Sequence, residues 1–492
     1  MQHMQHGHSE STGSKMAVRL DTIIAGCIGL FLVICNVIRI CTVPLTVDES
    51  PSRSDLFVGY GDYVHLRRVT ANIHILNSIL RKASIEAFGN TPFFLRLPNL
   101  LAQILFLVCC YRLLCRLFKE SQWRIAAFLI CALNPFVLEF WGYSRGYGLA
   151  IGFMMASIYF LIVYIEDKKS FQVWSALVVA LAAVWSNFAL LNYYVALCGV
   201  LLVLGLFREH LQAFLRKSLP AISVVSVVLL ALIYNPIRKL RASGELYYGG
   251  ENGLISDTIT SLVKESMYIS DPQQPVVGYV VKVVVALLSL CTLYWAFVFF
   301  RKSRGRHDKG IALCLLALIP LLSLIVQHHL LGTRYLIDRT ALFIIVLIPL
   351  SITYGLYQIR ARVKYLGEVA VFLMAALITW NFAQHVNLHK SRPWWLDNQN
   401  VQVLEYLAKK PQPPGRRLKL RVSWIQMPSM DYYIYTRYDS LFEPLVFSKE
   451  PPGPADTVYD YCYLPGDDAK TLSAVYVEDT LFDPSSKLYR KK

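Results

Sequence analysis

Apolar residues arrive along this chain in blocks rather than at helical or strand spacing. Eleven such runs fall near 22–43, 98–117, 124–139, 147–165, 172–186, 190–207, 218–234, 279–300, 310–326, 340–358 and 365–383. Each is close to the length that carries a helix across roughly 30 Å of hydrocarbon. The pattern therefore predicts a polytopic α-helical membrane protein with about 11 transmembrane helices. Elsewhere the periodicity changes. In the connection 44–97, Ile73, Ile75, Leu76, Ile79, Leu80, Ile85 and Phe88 recur at helical spacing, which suits helices lying in the interface plane. After the last run, 384–492 holds an amphipathic helix at Val401 to Lys410 and alternating strand-like stretches at Leu418 to Ile425 and Val458 to Leu464. These predict a small α/β C-terminal domain. The polar stretch 1–21 reads as a disordered tail with incidental histidines, and the first apolar run lacks the small-residue end of a cleavable signal.

Composition agrees with the pattern: of 492 residues, 55% are hydrophobic and only 17% charged. The net charge of +16 would suit nucleic acid if it were clustered in a polar domain. It is not, so nucleic-acid binding is not expected and the bilayer accounts for the basic residues. The connections 118–123, 166–171, 208–217, 301–309 and 359–364 carry fourteen Lys and Arg, against thirteen in the opposite set, which is about three times longer. Density of positive charge in short flanks sets orientation, so the N-terminus is expected in the cytoplasm and the C-terminal domain outside. Ten of the eleven cysteines lie in or beside apolar runs, leaving Cys462 without a partner in the C-terminal segment.

Candidate chemistry gathers on the outer side. The first apolar run ends in Pro44-Leu-Thr-Val-Asp48-Glu49, two adjacent carboxylates just beyond the hydrocarbon. The same connection continues Ala71-Asn72-Ile-His74-Ile-Leu-Asn77 and then Gly89 through Arg96-Leu97-Pro98-Asn99. The next outer turn reads Asn134-Pro135-Phe-Val-Leu-Glu139 and then Arg145-Gly146-Tyr147, and Asp338-Arg339-Thr340 opens the tenth run after His328, His329 and Arg334. A loop acid is most simply a solvated one, and an Arg at a helix end most simply a snorkelling anchor. Glu139, with apolar neighbours on both sides, needs pairing or water at that depth, and Arg145 is one candidate partner.

These pieces, in this order, resemble the GT-C glycosyltransferases, in particular the branch of protein O-mannosyltransferases and lipid A aminoarabinose transferases. The resemblance rests on the Asp-Glu pair, the Gly89 to Pro98 run, the Asn-Pro helix running into Glu139 and Arg145-Gly-Tyr, and Asp338-Arg339-Thr340. Many relatives carry His-Pro where this chain has His74-Ile75. The resemblance implies a multispanning enzyme of a bacterial cytoplasmic membrane. It would move a sugar, with inversion, from a polyprenyl-phosphate donor to a hydroxyl acceptor on a protein, glycan or lipid. Physical chemistry fits that implication. Transfer to a hydroxyl needs a base, for which Asp48 is the candidate with Glu49 and Glu139 in support. A departing phosphate needs positive charge, which Arg339, Arg145, Arg334 and His329 would supply. His74 and Tyr147 are expected to position substrate. No metal-ligand spacing is present, and a divalent cation at the acids stays an open option. The alternative is a transporter or flippase of a lipid-linked sugar, which would more typically show repeated halves and broken helices at mid-membrane.

Overall fold

The computed structural model describes residues 7–51, 58–64, 73–207, 211–245, 247–271, 274–301, 307–360, 364–450, 452–453, 456–466, 468–472, 474–483 and 486–492. The first six residues of the polar tail, Ala71 and Asn72 of the loop motif, and most of the basic connection 301–309 lie outside the described residues. Helices follow one another as α1 (Gly7–Thr42), α2 (Tyr60–Val64), α3 (Ile75–Phe88), α4 (Pro92–Leu117), α5 (Ser121–Ala132), α6 (Pro135–Trp141), α7 (Gly146–Asp167), α8 (Ser170–Ser186) and α9 (Leu191–Phe207). They continue with α10 (Leu211–Ala242), α11 (Thr260–Ser266), α12 (Pro275–Phe300), α13 (Asp308–Leu331), α14 (Ile344–Ile359), α15 (Lys364–His385), α16 (Asn400–Ala408) and α17 (Met427–Arg437). Four strands close the chain: β1 (Leu420–Val422), β2 (Tyr461–Pro465), β3 (Tyr476–Asp483) and β4 (Ser486–Lys491).

The protein is a polytopic helical membrane protein. Among the described residues, eight helices are long and apolar enough to cross a bilayer, or nine if α5 and α6 count as one bent span. The shorter apolar helices α8 and α14 account for the two remaining runs of the sequence. Two boundaries depart from expectation. Helix α1 begins at Gly7, inside the stretch expected as a disordered tail. The run 124–139 is two helices bent by 68°. Its break lies at Asn134-Pro135: a proline disfavours helical geometry in the residue before it, and Asn134 is extended at φ −113°, ψ 118°. The Asn134 side chain then caps α6 by accepting a hydrogen bond from Val137 N at 3.1 Å.

The chain divides into two compact units. The helical unit comprises Met1–Val37, Tyr63–Arg81 and Arg96–Val386. Small residues let its helices approach closely: a Cβ on Gly152 of α7 would stand 2.7 Å from the carbonyl oxygen of Ala102 in α4. A buried ion pair, Arg124 to Asp21 at 2.7 Å, joins α5 to α1.

The second unit comprises Ile38–Asp62, Lys82–Leu95 and Asn387–Lys492, so the C-terminal segment folds together with two stretches of the first long connection. Its sheet runs in the order β1-β2-β4-β3, with β1 and β2 parallel and the other pairs antiparallel. Side chains alternate across β2 as the pleat requires. Tyr461 and Tyr463 join Leu404, Leu407, Met430 and Ile434 in the larger core, whereas Cys462 and Leu464 join Tyr476 in a smaller one. The thiol of Cys462 is buried and forms no disulfide among the described residues, and the same holds for Cys35 and Cys110 within the helices. Strands β3 and β4 and helix α17 were not expected from the sequence pattern.

Candidate functional site

The acid pair sits in a tight turn of the α/β unit. After Pro44 stops α1, the amides of Glu49 and Ser50 both donate to the carbonyl of Thr46, at 3.0 and 3.1 Å. Helix α17 fixes this segment from the side. The Tyr433 hydroxyl accepts from Leu45 N at 2.9 Å, and Ser429 Oγ donates to Leu45 O at 2.5 Å. Within the turn the two carboxylates leave in different directions. Glu49 is fully buried and its Oε2 accepts from Thr46 N at 3.1 Å. Asp48 is only half-buried, and its Oδ2 accepts from the indole Nε1 of Trp394 at 3.1 Å.

A third acid belongs with them. Asp397 is 3% exposed, and its Oδ2 accepts from Val47 N at 2.8 Å while its Oδ1 accepts from Asn400 Nδ2 at 2.9 Å. Burial pushes its carboxyl well above the usual range, and the charges of Glu49 and Asp48 push the same way against the two hydrogen bonds. Sequence reading missed it because a lone acid in a loop carries no pattern. The tandem Trp394-Trp395 just before it was the available signal. Stability follows from the sign of this shift. In the unfolded chain the group ionises near pH 4, in the folded chain only at higher pH, so the folded state loses ground as pH rises above about 4. Asp397→Asn removes that loss. Relative to wild type, its thermal midpoint in detergent should improve progressively from about pH 4 to neutrality; an unchanged difference across that range would mean the carboxyl titrates normally.

The helical unit holds a second cluster, built of cations and aromatic rings. A chain of buried amides shapes the turn that leads into α7. Asn77 Nδ2 donates to Ser144 O at 2.9 Å, Asn99 Nδ2 donates to Asn77 Oδ1 at 2.8 Å, and Asn99 Oδ1 accepts from Leu149 N at 3.1 Å. This fixes Arg145, only 2% exposed, with its guanidinium carbon 5.9 Å from the centre of the Tyr147 ring. The edge of His74 meets the same ring at 4.8 Å between centres. Arg339 stacks on Tyr248 at 4.7 Å, and the Tyr248 hydroxyl donates to Asp338 Oδ2 at 3.0 Å. Asp338 takes the left-handed conformation, φ 46°, rare for a residue with a side chain, at the start of the short helix that presents Arg339. Burial holds the His74 imidazole well below its usual range, and the charge of Arg145, then that of Arg339, adds to this. Two guanidiniums thus bear on one buried, neutral ring. Such a cluster attracts an anion.

The other candidates have partners of their own. Glu139, 1% exposed at the end of α6, accepts hydrogen bonds from the hydroxyls of Tyr143 and Tyr268. Tyr268 follows α11, which is tied down where Asn134 Nδ2 donates to Ser266 Oγ at 3.0 Å and Asn381 Nδ2 donates to Ser266 O at 2.8 Å. Arg334 makes an exposed ion pair with Glu251 at 2.6 Å. His329 is exposed, edge-on to His328 at 5.2 Å. Tyr248 and Tyr268 lie in the long connection 235–278, whose Tyr247-Tyr248-Gly249-Gly250 stretch is a sequence signal for a lid, an acceptor clamp or a solvated connection, whereas Tyr268 carries no such pattern.

No group of three His, Cys, Asp or Glu side chains that could hold a metal ion comes together among the described residues. Asp48, Glu49 and Asp397 instead accept hydrogen bonds from an indole, two backbone amides and an asparagine. These contacts engage the acids as hydrogen-bond acceptors in the turn.

No family model and no curated protein matches the sequence. Solved structures do. The apo crystal structure of ArnT from Cupriavidus metallidurans superimposes with a TM-score of 0.51 at 11% identity, covering 95% of this chain and 98% of that one. The same protein bound to undecaprenyl phosphate gives 0.43 at 11%, over 95% and 97%. The oligosaccharyltransferase AglB from Archaeoglobus fulgidus, in complex with an inhibitory peptide and a dolichol-phosphate, gives 0.47 at 10%, over 90% of this chain and 69% of that one.

Proposed function

We propose that this chain, which has the fold of the GT-C glycosyltransferases, transfers a sugar from a polyprenyl-phosphate donor to a hydroxyl on the outer face of a cytoplasmic membrane. The observation that carries the reading is the pair of guanidiniums on aromatic rings, Arg145 buried over Tyr147 beside His74 and Arg339 over Tyr248. Such a site suits the phosphate of a lipid carrier. ArnT from Cupriavidus metallidurans, whose fold this chain shares, binds undecaprenyl phosphate.

The chemistry is a single displacement. The carboxylate of Asp48 accepts the proton of the acceptor hydroxyl as its oxygen bonds to the anomeric carbon. The bond from that carbon to the phosphate oxygen breaks, and its electron pair leaves with the polyprenyl phosphate, whose charge Arg145 and Arg339 offset. One displacement inverts the anomeric centre. Glu49 holds the turn that carries the base, and Glu139, clamped by two tyrosines, orders the segment after α11. Asp397 supports the turn that carries the base through Val47 N, and Tyr248 carries Arg339 on its ring.

Purified protein in sealed vesicles, supplied with a panel of undecaprenyl-phosphate sugars and membrane-impermeant acceptors, tests the activity and the orientation together. Mass spectrometry should find glycosylated acceptor only where the C-terminal segment faces the acceptor, and the anomeric coupling constants in proton NMR of that product should show the inverted configuration. Product without inversion would remove the single displacement. No product with any sugar, from a protein that still binds the carriers, would favour the transporter reading.

A further inference from the structure

The two ring nitrogens of His74 are placed differently. Its ring lies at the entry to α3, 9% exposed, with Nδ1 3.1 Å from the carbonyl oxygen of Ser186. A carbonyl only accepts, so that contact requires the proton on Nδ1. A neutral imidazole has one proton, and with Nδ1 holding it Nε2 is a bare lone pair. Burial first, and the Arg145 charge next, keep the ring neutral. Nε2 is itself buried and has no hydrogen-bond partner among the described residues.

The arrangement is built rather than incidental. A Cβ on Gly146, the first residue of α7, would fall 1.9 Å from Ser186 O and 2.7 Å from both Cβ and Cγ of His74. Only glycine at that position lets the ring and the carbonyl meet. Tyr147, next in the chain, then closes the ring's edge. The fold thus holds the imidazole in one tautomer and orientation, beside two cations.

A buried acceptor is satisfied by an O–H or N–H donor. The phosphodiester of a glycosylated carrier has no proton to give. The nearest donors to that phosphate are the hydroxyls of the sugar, beginning with the one adjacent to the anomeric carbon. We infer that His74 Nε2 accepts a hydrogen bond from this hydroxyl, so that the cluster distinguishes a sugar-loaded carrier from the bare polyprenyl phosphate left after transfer. The inference rests on Arg145 and Arg339 holding the phosphate. It gives product release a physical basis: once the sugar leaves, the same phosphate loses one contact.

The test is ligand binding to the purified full chain at about pH 8, where a bare phosphate monoester is fully ionised and cannot itself donate. The probes are undecaprenyl phosphate, undecaprenyl-phosphate hexoses and pentoses, and the 2-deoxy form of each. At least one loaded carrier should bind about tenfold tighter than bare undecaprenyl phosphate, and its 2-deoxy form should fall to the bare level. His74→Phe should level the three, the loaded carrier and its 2-deoxy form binding no tighter than the bare carrier does to the same variant. His74→Gln, which still offers an acceptor oxygen, should recover part of the preference. A 2-deoxy sugar that binds wild type as well as its parent overturns the inference without any variant, and so does a full sugar preference in His74→Phe. If wild type fails to bind even undecaprenyl phosphate, the phosphate reading of the two arginines falls first and this inference with it.

Discussion

Asp48→Asn should lower turnover by a factor on the order of 10² to 10⁴, the usual contribution of a general base, with donor affinity retained. The expectation follows from how the turn treats its two acids. Glu49 is folded back onto Thr46 N and fully buried, so its lone pairs serve the backbone. Asp48 keeps accessible surface, and the Trp394 indole holds one of its oxygens at 3.1 Å. A carboxylate that is oriented yet reachable can take a proton from an incoming hydroxyl. Asparagine retains the size and an oxygen for the indole but has no proton-accepting strength. Glu49→Gln keeps an oxygen for the Thr46 amide and should cost far less turnover. The measurement is single-turnover transfer with saturating donor, alongside donor binding. Full turnover in a folded Asp48→Asn protein would remove the base from the mechanism; normal turnover there with a dead Glu49→Gln would move the role by one residue.

How much of this was legible in the sequence depends on the kind of signal each part leaves. All eleven apolar runs are helices, because length without charge is a signal that tertiary context in a bilayer does not override. The break in the third run was visible in principle. Asn134-Pro135 is a helix stop followed by a helix start, but hydropathy alone runs straight through it. In the C-terminal segment the helix α16 and strands β1 and β2 carry clear periodicity. Helix α17, Met427–Arg437, does not: its core-facing Met430, Tyr432, Tyr433 and Ile434 include tyrosines whose hydroxyls also serve polar partners. Strand β3 mixes Glu478, Asp479 and Thr480 into its middle, so alternation is lost.

Site residues divide along the same line. Asp48, Glu139, Arg145 and Arg339 stood out because charge next to an apolar run is costly and therefore noticeable. Asp397, Tyr248 and Tyr268 stood in polar loops where their residue types are ordinary, and only folding gives them partners. Arg334 and His329 stand close to Arg339 in sequence, and both are exposed on either side of the turn through Gly332, φ 64°.

Arg339 carries the other large expected effect. Its guanidinium lies face-on to Tyr248 at 4.7 Å, and that ring is itself anchored through its hydroxyl to Asp338. The backbone is committed to this placement: Asp338 N donates to Ser261 Oγ at 3.0 Å, and the left-handed turn at Asp338 starts the short helix. A residue used only as a membrane anchor needs charge and reach, which lysine supplies. A phosphate holder stacked on a ring needs the planar fork, which lysine lacks. Arg339→Ala removes one charge-assisted contact, worth roughly 1.5 to 3 kcal/mol, so donor affinity should fall about ten- to a hundredfold. Arg339→Lys should fall between the alanine variant and wild type, while Tyr248→Phe, which keeps the ring and loses only the hydroxyl, should stay closer to wild type. Binding of undecaprenyl phosphate read for all three, with transfer at saturating donor as the second readout, separates the roles. A phosphate contact moves affinity first. If Arg339→Lys binds the carrier as well as wild type and Arg339→Ala loses folding rather than affinity, the residue is an anchor, and the cation of the phosphate site is Arg145 alone.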